Sequence, residues 1–375
     1  MINVLYLCHA PDNLGGAALS LFNLIQSVQN QVNSIVVLEK EGAVSAFFRK
    51  KGIECIIAPF PCNIKNNKCI LHVTTFVFKY LSYCLRNVKS RRIIKKALCG
   101  RKIDIVHSNS SVFVFGDILA RTLKAKHVWH FREFQDIDFD MHPFLGMKDL
   151  VRRMQRADSL IAITKAVYDH WDFSRYPNAC YLWDAVRSKN DCVEILEKDK
   201  YFLFCAALLS KTKGIESVLK AFGLSGVANY GYKLKIIGKC NSESYMCKLR
   251  NIAKDYGICD KIEFLGYKED VKPYMEKATA FLMASENEGL GRVTIEAMFY
   301  GCLVIARHSG GTLEFLKEGF NGLYFNDDVQ LASTMKDVSM ILPVEIIKNA
   351  QKFVVNNFSE EIYGAKMVKI YNHIL

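Results

Sequence analysis

The chain lacks the cysteine pattern of an exported, cross-linked protein: its 13 cysteines include no CxxC pair and no dense run. Scattered thiols of this kind belong to a reducing compartment, which excludes a disulfide-stapled scaffold and points to the cytoplasm. Also missing at the start is a basic stretch followed by an apolar run and a small-residue cleavage site. Residues 2–8 read as a strand instead, so no export signal is expected. No apolar run reaches the ~20 residues that cross a bilayer, because the longest, residues 70–85, is broken by His72 and Lys79. No His/Cys set has the spacing of a zinc site, and no internal repeat or low-complexity tract occurs. What is present is 375 residues, 50% of them hydrophobic, more than the ~100 to 200 residues of one ordinary domain. Two cores are expected.

Acidic residues are nearly absent from one segment. Residues 51–102 hold 12 Lys and Arg against the single Glu54, so this stretch supplies +11 of the net charge of +12. Residues 191–375 are balanced, with 23 basic and 23 acidic side chains. Such a concentration calls for a polyanionic neighbour. Arg86, Lys89, Arg91, Arg92, Lys95 and Lys96 interleave with Leu85, Val88, Ile93, Ile94 and Leu98, after the aromatic run Phe76, Phe78, Tyr80 and Tyr83. A basic amphipathic helix with an apolar flank suits the headgroup region of an anionic membrane, so segment 86–102 is expected to bind the inner membrane face peripherally. A nucleic-acid partner is not expected, since aromatic and basic residues follow no recognisable module.

Short β-branched runs alternate with helical patterns. One series covers residues 2–8, 34–38, 104–107, 126–130 and 159–163; a second covers 201–206, 233–237, 261–265, 278–284 and 303–306. Strands separated by helices predict parallel sheets of βαβ units, hence an α/β chain with two doubly wound domains. The seam is expected in the polar stretch 187–198, giving domains 1–190 and 191–358 and a closing helix at 359–375, started by Ser359 with Glu360 and Glu361 in its first turn.

The sharpest motif is Glu288-Gly289-Leu290-Gly291-Arg292-Val293-Thr294-Ile295-Glu296-Ala297, then Gly301, the strand at 303–306, and Ser309-Gly310-Gly311-Thr312. It follows a strand and enters a helix, whose first amides and positive dipole end suit an anion. Carboxylates suit sugar and ribose hydroxyls, because each oxygen accepts charge-assisted hydrogen bonds. Asp136, Asp138 and Asp140 give overlapping Asp-x-Asp spacings that could hold a divalent cation, but their place in the other half of the chain reads as an acidic surface loop.

On these residues the sequence resembles the retaining glycosyltransferases of family 4, whose hallmark is two glutamates separated by seven residues, matched by Glu288 and Glu296. The resemblance covers nearly the whole chain and is weakest at residues 63–100. It implies the GT-B fold, two Rossmann-like doubly wound parallel-sheet domains facing across a cleft, the first for the acceptor and the second for a nucleotide sugar. It implies further that Glu288 is catalytic toward the donor sugar and that Glu296 holds the ribose. Gly15 and Gly16 correspond to the glycine turn before the first helix, and Lys213 to the lysine that neutralises the diphosphate. Gly238 and Tyr267 correspond to strand ends around the base, and Gly289, Leu290 and Gly291 to the donor loop. In Trp129-His130-Phe131-Arg132-Glu133, His130 corresponds to a histidine facing the donor sugar; His107, Arg132 and Glu133 are candidate acceptor contacts. The arginine usual shortly before the lysine is Leu208 here, a loss that Lys211 or Arg292 would have to offset.

The expected reaction is therefore metal-independent and cofactor-free transfer from a UDP- or GDP-sugar. The expected acceptor is a glycan, membrane-associated or lipid-linked, in cell-surface polysaccharide or lipopolysaccharide synthesis. A sugar-nucleotide epimerase of the same architecture and a catalytically silent partner subunit are the alternatives.

Overall fold

In the computed structural model, which describes residues 1–9, 15–66, 73–286, 288 and 290–375, the chain divides into two compact units. Unit 1 comprises Met1–Ala185 together with Glu360–Leu375, and unit 2 is Val186–Ser359.

The strands of unit 1 are β1 (Ile2–Cys8), β2 (Val32–Leu38), β3 (Glu54–Ile57), β4 (Ile64–Asn66), β5 (Ile105–Ser108), β6 (Lys126–Phe131), β7 (Met141–Pro143), β8 (Ser159–Ala162) and β9 (Ala179–Tyr181). Seven of them form a parallel sheet in the order β3-β2-β1-β5-β6-β8-β9, while β4 and β7 pair antiparallel by themselves. The run Val4 to Cys8 is apolar without alternation because both faces of β1 are covered. Val4, Tyr6 and Cys8 enter one layer of the core, and Leu5 and Leu7 enter the other.

The first layer is closed by helix Gly16–Val28, through Leu21, Leu24, Ile25 and Val28, and by the terminal helix Glu360–Ile374, through Tyr363, Met367 and Tyr371. Those last three recur every fourth residue and share one helix face. The two helices meet at Gly364, where a Cβ would lie 2.1 Å from the Ser27 carbonyl oxygen, so a larger residue must push them apart. The second layer receives Ile94 and Leu98 from helix Val73–Leu98 and the stacked rings of Phe60 and Phe115.

Unit 2 contains β10 (Tyr201–Leu208), β11 (Lys233–Lys239), β12 (Ile262–Gly266), β13 (Ala280–Met283), β14 (Leu303–Arg307) and β15 (Leu323–Phe325), all parallel, in the order β12-β11-β10-β13-β14-β15. The ten strands expected from the sequence are present with ends shifted by no more than two residues. The edge strands β3 and β15 and the β4–β7 pair were not expected; each is four residues or shorter and too brief to show a period.

In both sheets the strand order reverses beside the first strand of the unit. Connections on its two sides then run to opposite faces, and a crevice opens at the carboxyl ends of the diverging strands. In unit 2 those strands are β10 and β13.

Candidate active site

The turn that leaves β10 holds Lys213, at the end of a short 3-10 turn over Lys211–Lys213, followed by Gly214 at φ +72°. A Cβ on Gly214 would lie 2.1 Å from the carbonyl oxygen of Ala284, just past β13. Only glycine lets the two strand exits approach this closely and take that backbone angle. Ser285 ties them further, its Oγ donating to the Thr212 carbonyl at 3.3 Å. The approach carries the Lys213 ammonium to the Glu288 carboxylate, Nζ to Oε2 at 2.9 Å, with both side chains partly exposed.

Glu288 is held from behind by its backbone. The Gly311 amide donates to the Glu288 carbonyl at 2.6 Å, and Gly310 sits where a Cβ would be 2.8 Å from the Glu288 nitrogen. Ser309 Oγ donates to the Ser285 carbonyl at 3.3 Å, so the turn after β14 braces the loop after β13. That loop ends at Leu290, which is buried, and Gly291, in the left-handed region, caps helix Arg292–Phe299. The Gly291 carbonyl accepts from the amides of Thr294 and Ile295. The helix start keeps its positive end, a site for anionic oxygen. Gly289 lies outside the described residues.

Glu296 stands on this helix, largely buried, with Oε1 3.2 Å from Nη2 of Arg187. Arg187 lies in turn over the Tyr300 ring, 5.7 Å from its centroid. Sequence reasoning placed Arg187 only in a linker, and no local motif marks its pairing with a residue more than a hundred positions away. Gly238 is on β11 beside the β10 carbonyl of Ala206, and Tyr267 follows β12 with its ring well exposed. Leu208 ends β10 and is 44% exposed. Unit 2 thus gathers Lys213, Glu288, Leu290, Gly291 and Glu296 about one switch point, with Gly238 and Tyr267 on the strands to one side.

The remaining candidates lie in unit 1. Gly15 caps helix Gly16–Val28 in an extended conformation and Gly16 opens it, while residues 10–14 of the expected glycine turn lie outside the described residues. His130 and His107 are fully buried with ring centroids 5.7 Å apart. His107 Nδ1 is 2.7 Å from the Tyr371 hydroxyl on the terminal helix, and His130 Nδ1 is 3.3 Å from Nη2 of Arg132. Burial holds both imidazoles well below the usual histidine range, and the Arg132 cation adds to it, so both are neutral at physiological pH.

Arg132 donates to Asn109 Oδ1 at 2.9 Å and forms a buried ion pair with Asp184. Burial disfavours its cation, but Asp184, Tyr363 and Glu133 together outweigh that and keep the pKa high. Glu133 Oε1 accepts from the Ser111 amide and hydroxyl, both at 2.9 Å, and from the Ser110 hydroxyl. Burial raises its carboxyl above the ordinary range against those hydrogen bonds. His107, Arg132 and Glu133, expected from the sequence to meet an acceptor, have internal partners in unit 1, although the buried Nε2 atoms of His107 and His130 have none among the described residues. Asp136 is exposed and pairs with His170 at 2.9 Å, Asp140 is exposed, and the Asp138 side chain lies outside the described residues.

Residues 187–353 match the family described as glycosyl transferases group 1. The chain is 33% identical over 75 residues to the lipopolysaccharide core biosynthesis glycosyltransferase LpsE of Rhizobium meliloti, covering 20% of this chain and 22% of that protein. It is 29% identical over 182 residues to the Campylobacter jejuni alpha-1,4-N-acetyl-D-galactosaminyltransferase named for a diNAcBac-PP-undecaprenol-linked glycan, covering 48% and 47%. The matched stretch is therefore less than half of either relative. Among solved structures, Anabaena HepE in complex with UDP superposes with a TM-score of 0.77 at 17% identity, covering 99% of this chain and 100% of that one. The lipopolysaccharide outer core galactosyltransferase WaaB superposes at 0.68 and 15%, covering 100% of both. The fold is that of the two-domain GT-B glycosyltransferases.

Proposed function

We propose that this chain, whose residues 187–353 carry the glycosyl transferases group 1 family, transfers a sugar from a nucleotide diphosphate to a glycan acceptor at an anionic membrane surface. The observation that carries this reading is the Lys213–Glu288 pair, 2.9 Å apart at the switch point of a Rossmann-like sheet and beside a helix start. Loss of the anomeric bond leaves charge on a diphosphate and on an oxocarbenium-like sugar. A cation and oriented amides answer the first, and a carboxylate answers the second.

The donor diphosphate competes for Lys213, and the Glu288 carboxylate is released toward the sugar. Glu296, steadied by Arg187, accepts from the ribose hydroxyls, and Tyr267 lies toward the base. The bound UDP of the HepE structures supports a UDP-sugar donor, with a GDP-sugar as the other choice. With a lysine and helix amides on the diphosphate, no divalent ion is needed for this step. Retention at the anomeric carbon follows the family that the paired glutamates resemble.

The acceptor side rests on helix Val73–Leu98. Tyr83, Asn87, Ser90, Ile94 and Leu98 turn inward, while Phe76, Val77, Phe78, Tyr80, Leu81 and Leu85 are exposed at one end and Arg86, Lys89, Arg92, Lys95 and Lys96 at the other. An apolar tip beside a basic face favours the headgroup layer, at ~1 kcal/mol for each basic residue near it. Among the described residues no helix is long and apolar enough to cross a membrane. The lipopolysaccharide and undecaprenol-linked names of the relatives support an acceptor that is lipid-linked.

Leu208 favours a second reading, a silent partner subunit, because an exposed leucine stands where the resembling family has a cation. Radiolabelled transfer from UDP- and GDP-sugars to lipid-linked glycan separates the two. Turnover that needs Glu288 supports the transferase, and donor binding without hydrolysis or transfer supports the silent subunit.

A further inference from the structure

We propose that His9, Glu39 and Cys62 form a zinc-binding site in unit 1, apart from the donor chemistry of unit 2 and independent of the function proposed above. His9 follows β1 and Glu39 follows β2, and the register pairs Cys8 with Leu38, so the two residues are the first beyond the same rung of the sheet. The next rung pairs Leu38 with Ile57 of β3, and the chain runs on from there to Cys62. Adjacent parallel strands thereby bring three loops together at one edge, from positions that linear spacing shows as unrelated. This is the one such group of His, Cys and carboxylate side chains among the described residues.

The distances fit a small tetrahedral ion. His9 Nδ1 lies 3.0 Å from Glu39 Oε1, Cys62 Sγ lies 4.0 Å from His9 Nδ1, and Cys62 Sγ lies 3.7 Å from Glu39 Oε2. Zinc bonds of about 2.0 to 2.3 Å to nitrogen, oxygen and sulfur, set at tetrahedral angles, place their donor atoms about 3.3 to 3.6 Å apart. His9 and Cys62 meet different oxygens of the Glu39 carboxylate, and one donor atom from each of the three residues lies within 4.8 Å of the others, so rotation of the carboxylate has to bring a single oxygen to that spacing.

The donor set selects the ion. A thiolate is a poor ligand for calcium or magnesium, which take oxygen, whereas thiolate, imidazole and carboxylate together suit zinc. One thiolate and one carboxylate also balance the charge of a divalent ion. The side chains are partly exposed, so an ion can enter, and three protein donors leave a fourth position for water. Bound there, the ion ties together the loops after β1, β2 and β3.

The test uses the full chain, reduced and dialysed free of metal, titrated with Co²⁺ and then with Zn²⁺. A thiolate-to-cobalt charge-transfer band that saturates at one equivalent and is displaced by zinc is expected. It should vanish in Cys62→Ser, persist in Cys99→Ser, and weaken in affinity by at least about tenfold in Glu39→Gln, the scale lost when even a supporting hydrogen bond to a ligand is removed. A wild-type chain that gives no such band overturns the proposal without recourse to any variant. A band that survives in Cys62→Ser overturns it as well.

Discussion

The two units share a topology and use their polar residues in opposite ways. Unit 2 places charge at the rim of its switch point, where Lys213, Glu288, Glu296 and Arg187 remain partly exposed and pair with one another. Unit 1 sinks its polar groups at the corresponding strand ends into the core: His107, His130, Arg132, Glu133 and Asp184 are buried and bonded to neighbours such as Tyr371, Ser111 and Asn109, while Nε2 of His107 and of His130 has no hydrogen-bond partner among the described residues. Charges at a rim are available to a ligand at little desolvation cost, whereas buried ones specify a conformation. The proposed function places donor chemistry at this exposed rim of unit 2.

The strongest way to break the comparison is at Glu288. Glu288→Gln should lower turnover by roughly 10² to 10³-fold, the scale of one preorganised electrostatic contact, while nucleotide affinity measured by calorimetry changes little. Unchanged turnover would move the chemistry elsewhere.

How much of this was legible beforehand follows the range over which each signal acts. The strands of both sheets show as apolar runs such as Val4 to Cys8, and the loop from Glu288 to Glu296 is a contiguous motif whose glycines and acids stand in the sequence. Arg187 beside Glu296 and the meeting of His9, Glu39 and Cys62 arise only when distant strands align, and nothing local foretells them. The fates of His107 and Glu133 were hidden for a related reason. A polar residue at or just past a strand end reads the same whatever it meets, and the contacts of His107 with Tyr371 and of Glu133 with Ser111 come from distant parts of the chain.

A smaller effect sharpens the role of the terminal helix. Gly364→Val drives a side chain into the Ser27 carbonyl and should destabilise unit 1 by roughly 1 to 3 kcal/mol, as overpacking does, read as a lower midpoint of urea unfolding. Equal stability would mean that the two helices are not held at this distance.

Acid separates the units next. His107 and His130 have folded pKa values well below the usual 6.5, and burial pushes His127 down to about 4, so the unfolded chain binds more protons than the folded one. Stability is then retained above about pH 6.5 and lost as pH falls below it, by about 1.4 kcal/mol per pH unit for each histidine that stays neutral. Unfolding followed by tryptophan fluorescence between pH 7 and 5 checks this, since all three tryptophans lie in unit 1, and His127→Gln should flatten the slope.

The weakest effect concerns the membrane. Reversing Lys89, Arg92 and Lys96 to Glu should weaken flotation with anionic liposomes and remove its salt sensitivity, while leaving donor binding intact. Binding unchanged by the reversal would dissociate the basic helix from the membrane.

The most direct measurement is calorimetric titration of UDP- and GDP-sugars into the wild-type chain and into Lys213→Ala, each with and without Mg²⁺. Binding of one donor that is indifferent to Mg²⁺ and falls at least about tenfold without the lysine is the predicted result, since a charge-assisted contact to phosphate is worth about 1.5 to 3 kcal/mol. Binding that requires the ion, that ignores Lys213, or that is absent for both donors would contradict the account.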